Sequence, residues 1–173
     1  NITKADGLLA PSRFYADYMA SRTNTPKQDF YVIHNGISLE GYSRAQNTQP
    51  PTIGYLARMI PAKGLDLLVD AFIKLRKAGT DCRLKIAGAA IASDHAYIKE
   101  QKYKLHAEGL THDVSFYPNI NKQDKLNFFK SLSVFSVPAR YNEAFGLYLI
   151  EAMASGVPVV QPNIASFPEI MKL

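Results

Sequence analysis

Short apolar runs alternate with segments of helical period along most of this chain. Five runs after residue 52 have the length and continuity of buried strands: 53–57, 82–87, 114–117, 133–137 and 157–160. Helices are predicted between them, over about 64–78, about 96–108, from Asn121 onward and over about 146–155. This alternation predicts an α/β fold with a doubly wound, Rossmann-like parallel sheet.

The first 52 residues follow the same pattern less regularly. Strands are predicted at 7–10 and 30–33, with Ser12 as the cap of a helix between them. The polar stretch 43–52 contains two adjacent prolines and predicts a domain boundary, with a linker at 46–52. Near the other end, Ser166 followed three residues later by Glu169 is a capping-box pattern.

Composition narrows the class of protein. The 173 residues are 47% hydrophobic and 20% charged, which excludes disorder, collagen and coiled coil. The net charge of +5 comes from scattered residues, so no nucleic-acid partner is expected, whereas an anionic small ligand or membrane surface stays open. The single cysteine, Cys82, cannot form an internal disulfide, and this favours a reducing, cytoplasmic location.

Ligands of doubly wound sheets bind beyond the carboxyl ends of the strands, so the strand-to-helix loops are the candidate site. In the first such loop, Arg58 and Lys63 precede a helix whose free N–H groups favour an anion. A planar guanidinium and a point-charge amine suit a diphosphate. The alternative is a pair of ordinary surface cations.

A second candidate segment contains two acids around a glycine. Glu143 follows a strand, Gly146 permits close backbone approach, and Glu151 lies on the helix that follows. Carboxylates accept hydrogen bonds from hydroxyl-rich ligands, and the helix start supplies donors for phosphate. Two alternatives stay open: solvated surface acids, or the carboxylate pair of a glycoside hydrolase.

Metal and cofactor motifs are missing from the sequence. The four histidines (His34, His95, His106, His112) have no metal-ligand spacing to each other or to Cys82, so no metal is expected. Neither G-x-G-x-x-G nor a P-loop occurs, so no resident nucleotide cofactor is expected.

Taken in order, these segments resemble glycosyltransferase family four, the retaining sugar-nucleotide transferases of GT-B architecture. E-A-F-G-L-Y-L-I-E-A-M-A-S-G-V-P-V-V resembles the E-x7-E signature, and G-Y-L-A-R-M-I-P-A-K-G-L-D resembles the G-R-x4-K-G donor motif. A-D-G-L-L-A-P-S and I-H-N-G-I-S resemble the passage between the two domains. Three departures are Ala57 and Pro118 in place of glycines, and 163–166 in place of D-x-G-G.

The resemblance implies a role for each site residue. Arg58 and Lys63 would hold the donor diphosphate, Glu143 would contact the donor sugar, and Glu151 would accept hydrogen bonds from the ribose. Further contacts with the nucleotide-sugar donor are expected from the backbone around the helix start, at Phe145, Gly146 and Leu147. Gly88 and Tyr117 would border the base.

The resemblance also implies the domain organisation. Residues 1–45 would end the N-terminal, acceptor-side domain, and 53–173 would form the C-terminal donor-binding domain, truncated at its end. The donor would be a UDP-, GDP- or ADP-sugar, and a glycan or lipid-linked acceptor would bind through the missing domain. The fragment alone is expected to bind without transferring, and the inner face of a membrane stays open as a partner of the full-length protein.

Two other function classes remain open at this point. One is a nucleotide- or sugar-binding module without chemistry, and the other is a carbohydrate hydrolase or phosphorylase.

Overall fold

The computed structural model describes residues 5–173 and contains two parallel sheets. Strands β1 (Leu8–Ala10) and β2 (Phe30–Val32) form the smaller sheet, and helix α1 (Arg13–Thr23) connects them. Ser12 caps α1 as predicted, because its hydroxyl accepts the Tyr15 N–H at 3.1 Å. The same hydroxyl donates to the Ala144 carbonyl at 2.7 Å, which ties the smaller sheet to the second half of the chain.

The larger sheet has the order β5-β4-β3-β6. Its strands are β3 (Thr52–Leu56), β4 (Arg83–Gly88), β5 (Val114–Pro118) and β6 (Val134–Phe135). The helices that follow them are α2 (Leu65–Lys77), α3 (His95–Ala107), α4 (Lys122–Lys130) and α5 (Leu147–Ala154), and the short α6 (Phe167–Ile170) comes last. All pairings are parallel, so the predicted doubly wound sheet is confirmed.

The strand order places a switch point between β3 and β6. The chain runs outward from β3 through β4 to β5 and then returns past β3 to add β6 on the other side. Right-handed crossovers therefore put α2 and α3 on one face of the sheet, and α4 and α5 on the other. The loops that leave β3 and β6 diverge at this point, which is where doubly wound folds open a crevice for ligands.

Large apolar side chains fill both faces of the larger sheet. The apolar residues of α2 recur at helical spacing and are buried at Leu65, Leu68 and Phe72, while Leu75 is 40% exposed. The large side chains that are almost completely buried are Tyr55, Met59, Leu65, Phe72, Leu84, Ile86, Leu105, Phe129, Leu132, Phe135, Leu149 and Phe167. Burial of roughly a dozen large side chains, each contributing about 1.5–3 kcal/mol, fixes the scaffold that carries the loops.

The last two predicted strands are shorter than expected. The run 133–137 forms a strand only at Val134–Phe135, and the run 157–160 is reduced to a single parallel bridge between Phe135 and Val159. Pro158 has no N–H to continue that ladder. The N–H of Val137 is taken instead by the side chain of Gln161, at 3.2 Å.

The predicted capping box at Ser166 and Glu169 is wrong. Ser166 has helical backbone angles, and its hydroxyl donates to the Phe145 carbonyl at 3.2 Å. The carboxylate of Glu169 accepts the N–H groups of Arg13 at 2.9 Å and Phe14 at 3.2 Å, so it satisfies the first turn of α1 instead. Burial would raise the pKa of Glu169, but these N–H bonds and His34 hold it below its usual range.

The predicted boundary at 46–52 lies between the two sheets. Backbone bonds attach the stretch just before it to the second half: Ala45 N–H donates to Ser155 at 2.7 Å, and Gln46 N–H donates to Lys130 at 2.9 Å. The division into domains there stays a prediction. Among residues 5–173, no helix combines the length and apolar character needed to cross a bilayer.

Candidate functional site

A cleft opens at the switch point between β3 and β6. Its volume is about 330 Å³, within the range of small-ligand sites. It is lined by Pro11, Asn35, Lys63, Glu143, Ala144, Phe145, Gly146, Leu147 and Tyr148. Residues from both halves of the chain therefore form its walls, and five of the predicted site residues are among them.

An ion pair bridges the two loops that diverge at the switch point. Lys63 comes from the loop after β3 and Glu143 from the loop after β6, and the amine lies 2.5 Å from Oε2 of the carboxylate. Two phenols donate to the same oxygen, Tyr148 at 2.9 Å and Tyr141 at 3.0 Å. Glu143 is thus held by one amine and two hydroxyls on a single oxygen.

These contacts set the protonation of the donors. Burial lowers the pKa of the Lys63 amine, but the bonds to Glu143 and Tyr141 outweigh it, so the net pKa is raised. Burial, and then the charge of Glu143, raise the pKa of Tyr148 well above its usual range. At neutral pH the amine is charged and the phenol keeps its proton, so both remain donors.

The loops approach so closely because Gly64 has no side chain. Its φ is +70°, and a Cβ there would lie 1.9 Å from the Pro138 carbonyl oxygen. Arg140 completes the contact, because its N–H donates to the Ala62 carbonyl at 2.9 Å and its guanidinium pairs with Asp66 at 2.6 Å. Any larger residue at position 64 would push the Lys63 loop away from the Glu143 loop.

The floor of the cleft is the start of α5. Gly146 precedes this helix with φ +87°, a left-handed conformation that disfavours residues with a side chain. Phe145 is buried, and the centroid of its ring lies 6.1 Å from that of the His34 ring, while Leu147 is 45% exposed. The first turn contains no acidic residue, so the N–H groups of the helix start can meet an anion.

Arg58 lies on the same loop as Lys63 but has a different partner. Its Nε and one terminal nitrogen each donate to Asp94 at 3.0 Å, in a bidentate pair. Asp94 is buried and also accepts the Ile91 N–H at 3.2 Å, so it fixes the loop after β4. The bonds to Asp94 raise the pKa of Arg58, and the bonds from Arg58 lower that of Asp94.

Glu151, the second acid of this segment, is not among the residues that line this cleft. Its side chain is buried and accepts hydrogen bonds from Tyr42, at 3.0 Å, and from Lys125, both at Oε1. Burial, and then the charge of Glu151, raise the pKa of Tyr42 above its usual range. Glu151 therefore repeats the arrangement of Glu143, with a lysine and a tyrosine on one oxygen.

Gly88 and Tyr117, the residues expected beside a base, end two neighbouring strands outside the cleft. Gly88 has φ +131°, and a Cβ there would lie 2.0 Å from the Ala57 carbonyl oxygen. Tyr117 is 38% exposed and lines a separate cavity of about 360 Å³ beside α4. Asn119 joins the two loops by donating to and accepting from the Ala90 backbone at 3.0 Å.

One departure from the family pattern keeps a glycine-like backbone. Ala165, which stands where the family has a glycine, has φ +54°. A non-glycine residue in this conformation costs on the order of 1 kcal/mol. The loop before α6 therefore contains an alanine in a backbone conformation that favours glycine.

Sequence reasoning missed most partners of the predicted residues. Tyr148 could have been found, since it lies in the first turn of the helix that follows Glu143. The pairing of Arg58 with Asp94 and of Glu151 with Tyr42 and Lys125 joins distant parts of the chain and had no local signal. Within residues 5–173, no group of three or more His, Cys, Asp or Glu residues could hold a metal ion.

Comparison with known proteins identifies the family. The model described as "Glycosyl transferases group 1" matches residues 42–173, and the chain belongs to this family of glycosyltransferases. It is 25% identical to a D-inositol 3-phosphate glycosyltransferase of Mycobacterium sp. (strain KMS), over 96% of this chain and 39% of that protein. It is 34% identical to a lipopolysaccharide core biosynthesis mannosyltransferase of Rhizobium meliloti, over 69% of this chain and 33% of that protein.

Solved structures show the same fold. Anabaena Alr3699/HepE, in complex with UDP and glucose, matches with a TM-score of 0.81 and 22% identity over 95% of this chain and 46% of that chain. The C-terminal domain of a group 1 glycosyl transferase (LpcC) from Francisella tularensis matches with a TM-score of 0.69 and 25% identity, over 78% of this chain and 74% of that chain. The predicted GT-B type of sheet is therefore confirmed, and the chain spans about 40% of its first curated relatives.

Proposed function

We propose that this chain is the donor-binding part of a retaining glycosyltransferase of the hexosyltransferase type. The enzyme would move a sugar from a nucleotide-diphosphate sugar to a glycan or lipid-linked acceptor. The donor would be a UDP-, GDP- or ADP-sugar, used as a substrate, with no resident cofactor. Acceptor contacts would come from the remainder of a longer protein, so the chain alone would bind the donor without transferring its sugar.

The observation that carries this proposal is the Lys63–Glu143 pair above the start of α5. A cation and a helix N-terminus suit a diphosphate, and an adjacent carboxylate suits sugar hydroxyls. These three features line one cleft at the switch point of the sheet. The names of relatives that are mannosyltransferases, and of a neighbour bound to UDP and glucose, support the same chemistry.

Each remaining residue has a role in this proposal. Arg58 assists Lys63 on the diphosphate, and Glu151 accepts a ribose hydroxyl through its second oxygen. Negative charge develops on the diphosphate as its bond to the sugar breaks, and preorganised cations and N–H donors stabilise that charge. Backbone N–H groups near Gly146 complete the phosphate contacts, and Gly88 and Tyr117 border the base.

Calorimetric titration of the chain with UDP, GDP and ADP tests the proposal. We expect one nucleotide to bind selectively, and Lys63→Gln to weaken its affinity by roughly 10- to 100-fold because a charged hydrogen bond is lost. The matched control is Lys77→Gln, which removes an amine that is 62% exposed and pairs with Glu108 outside the site. Equal affinity in all three proteins would contradict the proposed site, and binding of none of the nucleotides would contradict the function.

A further inference from the structure

The three donors to Glu143 differ in how firmly they are held. Tyr148 lies in the first turn of α5, is 8% exposed, and packs its ring 6.0 Å from that of Phe135. Tyr141 lies on the loop after β6 and is 37% exposed. The amine of Lys63 is at the end of a long flexible side chain. Of the three, Tyr148 is the donor whose position the core fixes.

Lys63 has two competing partners once a diphosphate is bound. Its amine bonds Oε2 of Glu143 in the structure, and the proposed function needs that charge on the phosphates. When the amine turns to the phosphates, Glu143 loses its cation while its side chain is only 13% exposed. A nearly buried carboxylate without a hydrogen-bond donor is unfavourable and free to change orientation.

We propose that Tyr148 is a positioning residue for the donor sugar: its buried phenol holds Oε2 of Glu143 in place when Lys63 binds the diphosphate. No residue in the described range 5–173 donates to the other oxygen, Oε1, which is therefore available for a sugar hydroxyl. The raised pKa of Tyr148 keeps its proton in place for this role. This inference rests on the proposed function, since it needs a donor sugar beside Glu143.

A second lysine–tyrosine–glutamate group supports this interpretation. Tyr42 and Lys125 bond one oxygen of Glu151, as Tyr148 and Lys63 bond one oxygen of Glu143. In both groups the tyrosine supplies a neutral donor that does not compete for phosphate. A phenol held in this way orients a carboxylate without neutralising its charge.

The test separates the sugar from the diphosphate. The chain and its Tyr148→Phe variant are titrated with UDP, GDP and ADP, and with UDP-glucose, GDP-mannose and ADP-glucose. Because Tyr148→Phe keeps the ring and removes only the hydroxyl, we expect the affinity for the nucleotide sugar to fall about five- to tenfold. The affinity for the matching nucleotide diphosphate should fall less, because that ligand draws Lys63 away from Glu143 but places no sugar hydroxyl on Oε1.

Controls distinguish positioning from a merely structural role. Tyr141→Phe removes an exposed donor to the same oxygen and should reduce nucleotide-sugar affinity by less, about twofold. Equal loss for both ligands in Tyr148→Phe, or no loss for either, would overturn the positioning role. If the unaltered chain binds no nucleotide diphosphate, the proposed function itself fails, and this inference fails with it.

Discussion

Two basic residues of one loop, Lys63 and Arg58, are held in different ways. The sequence placed both beside the start of a helix and predicted a shared anion. In the structure Lys63 pairs with Glu143 across the cleft, where a ligand can replace one partner. Arg58 pairs with Asp94 in a bidentate contact that fixes the loop after β4, and Arg58 is not among the residues lining the cleft.

The difference separates a cation that exchanges partners from one that is preorganised. In the proposed function Lys63 leaves Glu143 to bind phosphate, so its partner competes with the ligand. Arg58 can offer its remaining terminal nitrogen to a phosphate without leaving Asp94, because a guanidinium has five N–H donors. Neutralising the acid should therefore free the first cation and loosen the second.

The largest expected effect comes from Glu143→Gln in the longer transferase that the proposed function requires. We expect sugar transfer to fall on the order of 100-fold, because the carboxylate proposed to contact the donor sugar is lost. Steady-state transfer assays with the cognate donor measure this, and calorimetry should show that the nucleotide still binds, and more tightly, because Lys63 is freed.

Glu108→Gln is the control, since Glu108 pairs with Lys77 away from the cleft. Unchanged transfer in Glu143→Gln would contradict the proposed role of Glu143, and absence of transfer by the unaltered protein would favour a binding module without chemistry.

A smaller effect is expected from Asp94→Asn on the stability of the chain. The substitution removes the charge that accepts two bonds from Arg58 and one from Ile91. We expect the melting temperature to fall by about 3–6 °C, and hydrogen exchange of the 88–95 loop to become faster. Asp70→Asn removes the charge of an exposed pair with Lys104 and should change neither the melting temperature nor the exchange of the 88–95 loop. An equal change in that variant would show that the Asp94 contact stabilises the chain no more than a surface ion pair does.

The weakest of these ion pairs should be Arg140–Asp66, which joins the same two loops at the surface. The bonds from Arg140 lower the pKa of Asp66 to about 2. Because the folded pKa lies below the unfolded value, this stability is present above about pH 4 and lost as the pH falls to about 2. Solvent screening limits it to about 1 kcal/mol.

Denaturant unfolding between pH 5 and pH 2 measures that contribution. The unaltered chain should lose about 1 kcal/mol more than Asp66→Asn over this range. Parallel pH curves for the two proteins would show that the pair contributes nothing to stability.

Local patterns predicted the fold well because they follow from periodicity and capping. Ser12 and Asn121 cap their helices through hydroxyl and amide oxygens, and Gly156 follows α5 with φ +64°. The buried side of α3 follows helical spacing in the same way, with Ile98, Gln101 and Leu105 on it. These features depend on residues within about one helical turn of each other.

Features that depend on distant residues were not predictable in this way. Glu169 had the spacing of a local capping box, but the start of α1, 156 residues away in sequence, offers it two free N–H groups. The site residues were located on their loops, whereas their partners depend on which loops the strand order brings together. The switch point, and not the spacing, brings Lys63 to Glu143 and leaves Glu151 outside the cleft.

The most direct test of this account is a calorimetric titration of the cognate nucleotide diphosphate against Glu143→Gln and Asp94→Asn side by side. We expect opposite changes: Glu143→Gln tightens binding about fivefold by freeing Lys63, and Asp94→Asn weakens it about fivefold by loosening Arg58. Tighter binding in both variants would mean that removing negative charge is all that matters. That result would contradict the distinction between an exchanging and a preorganised cation.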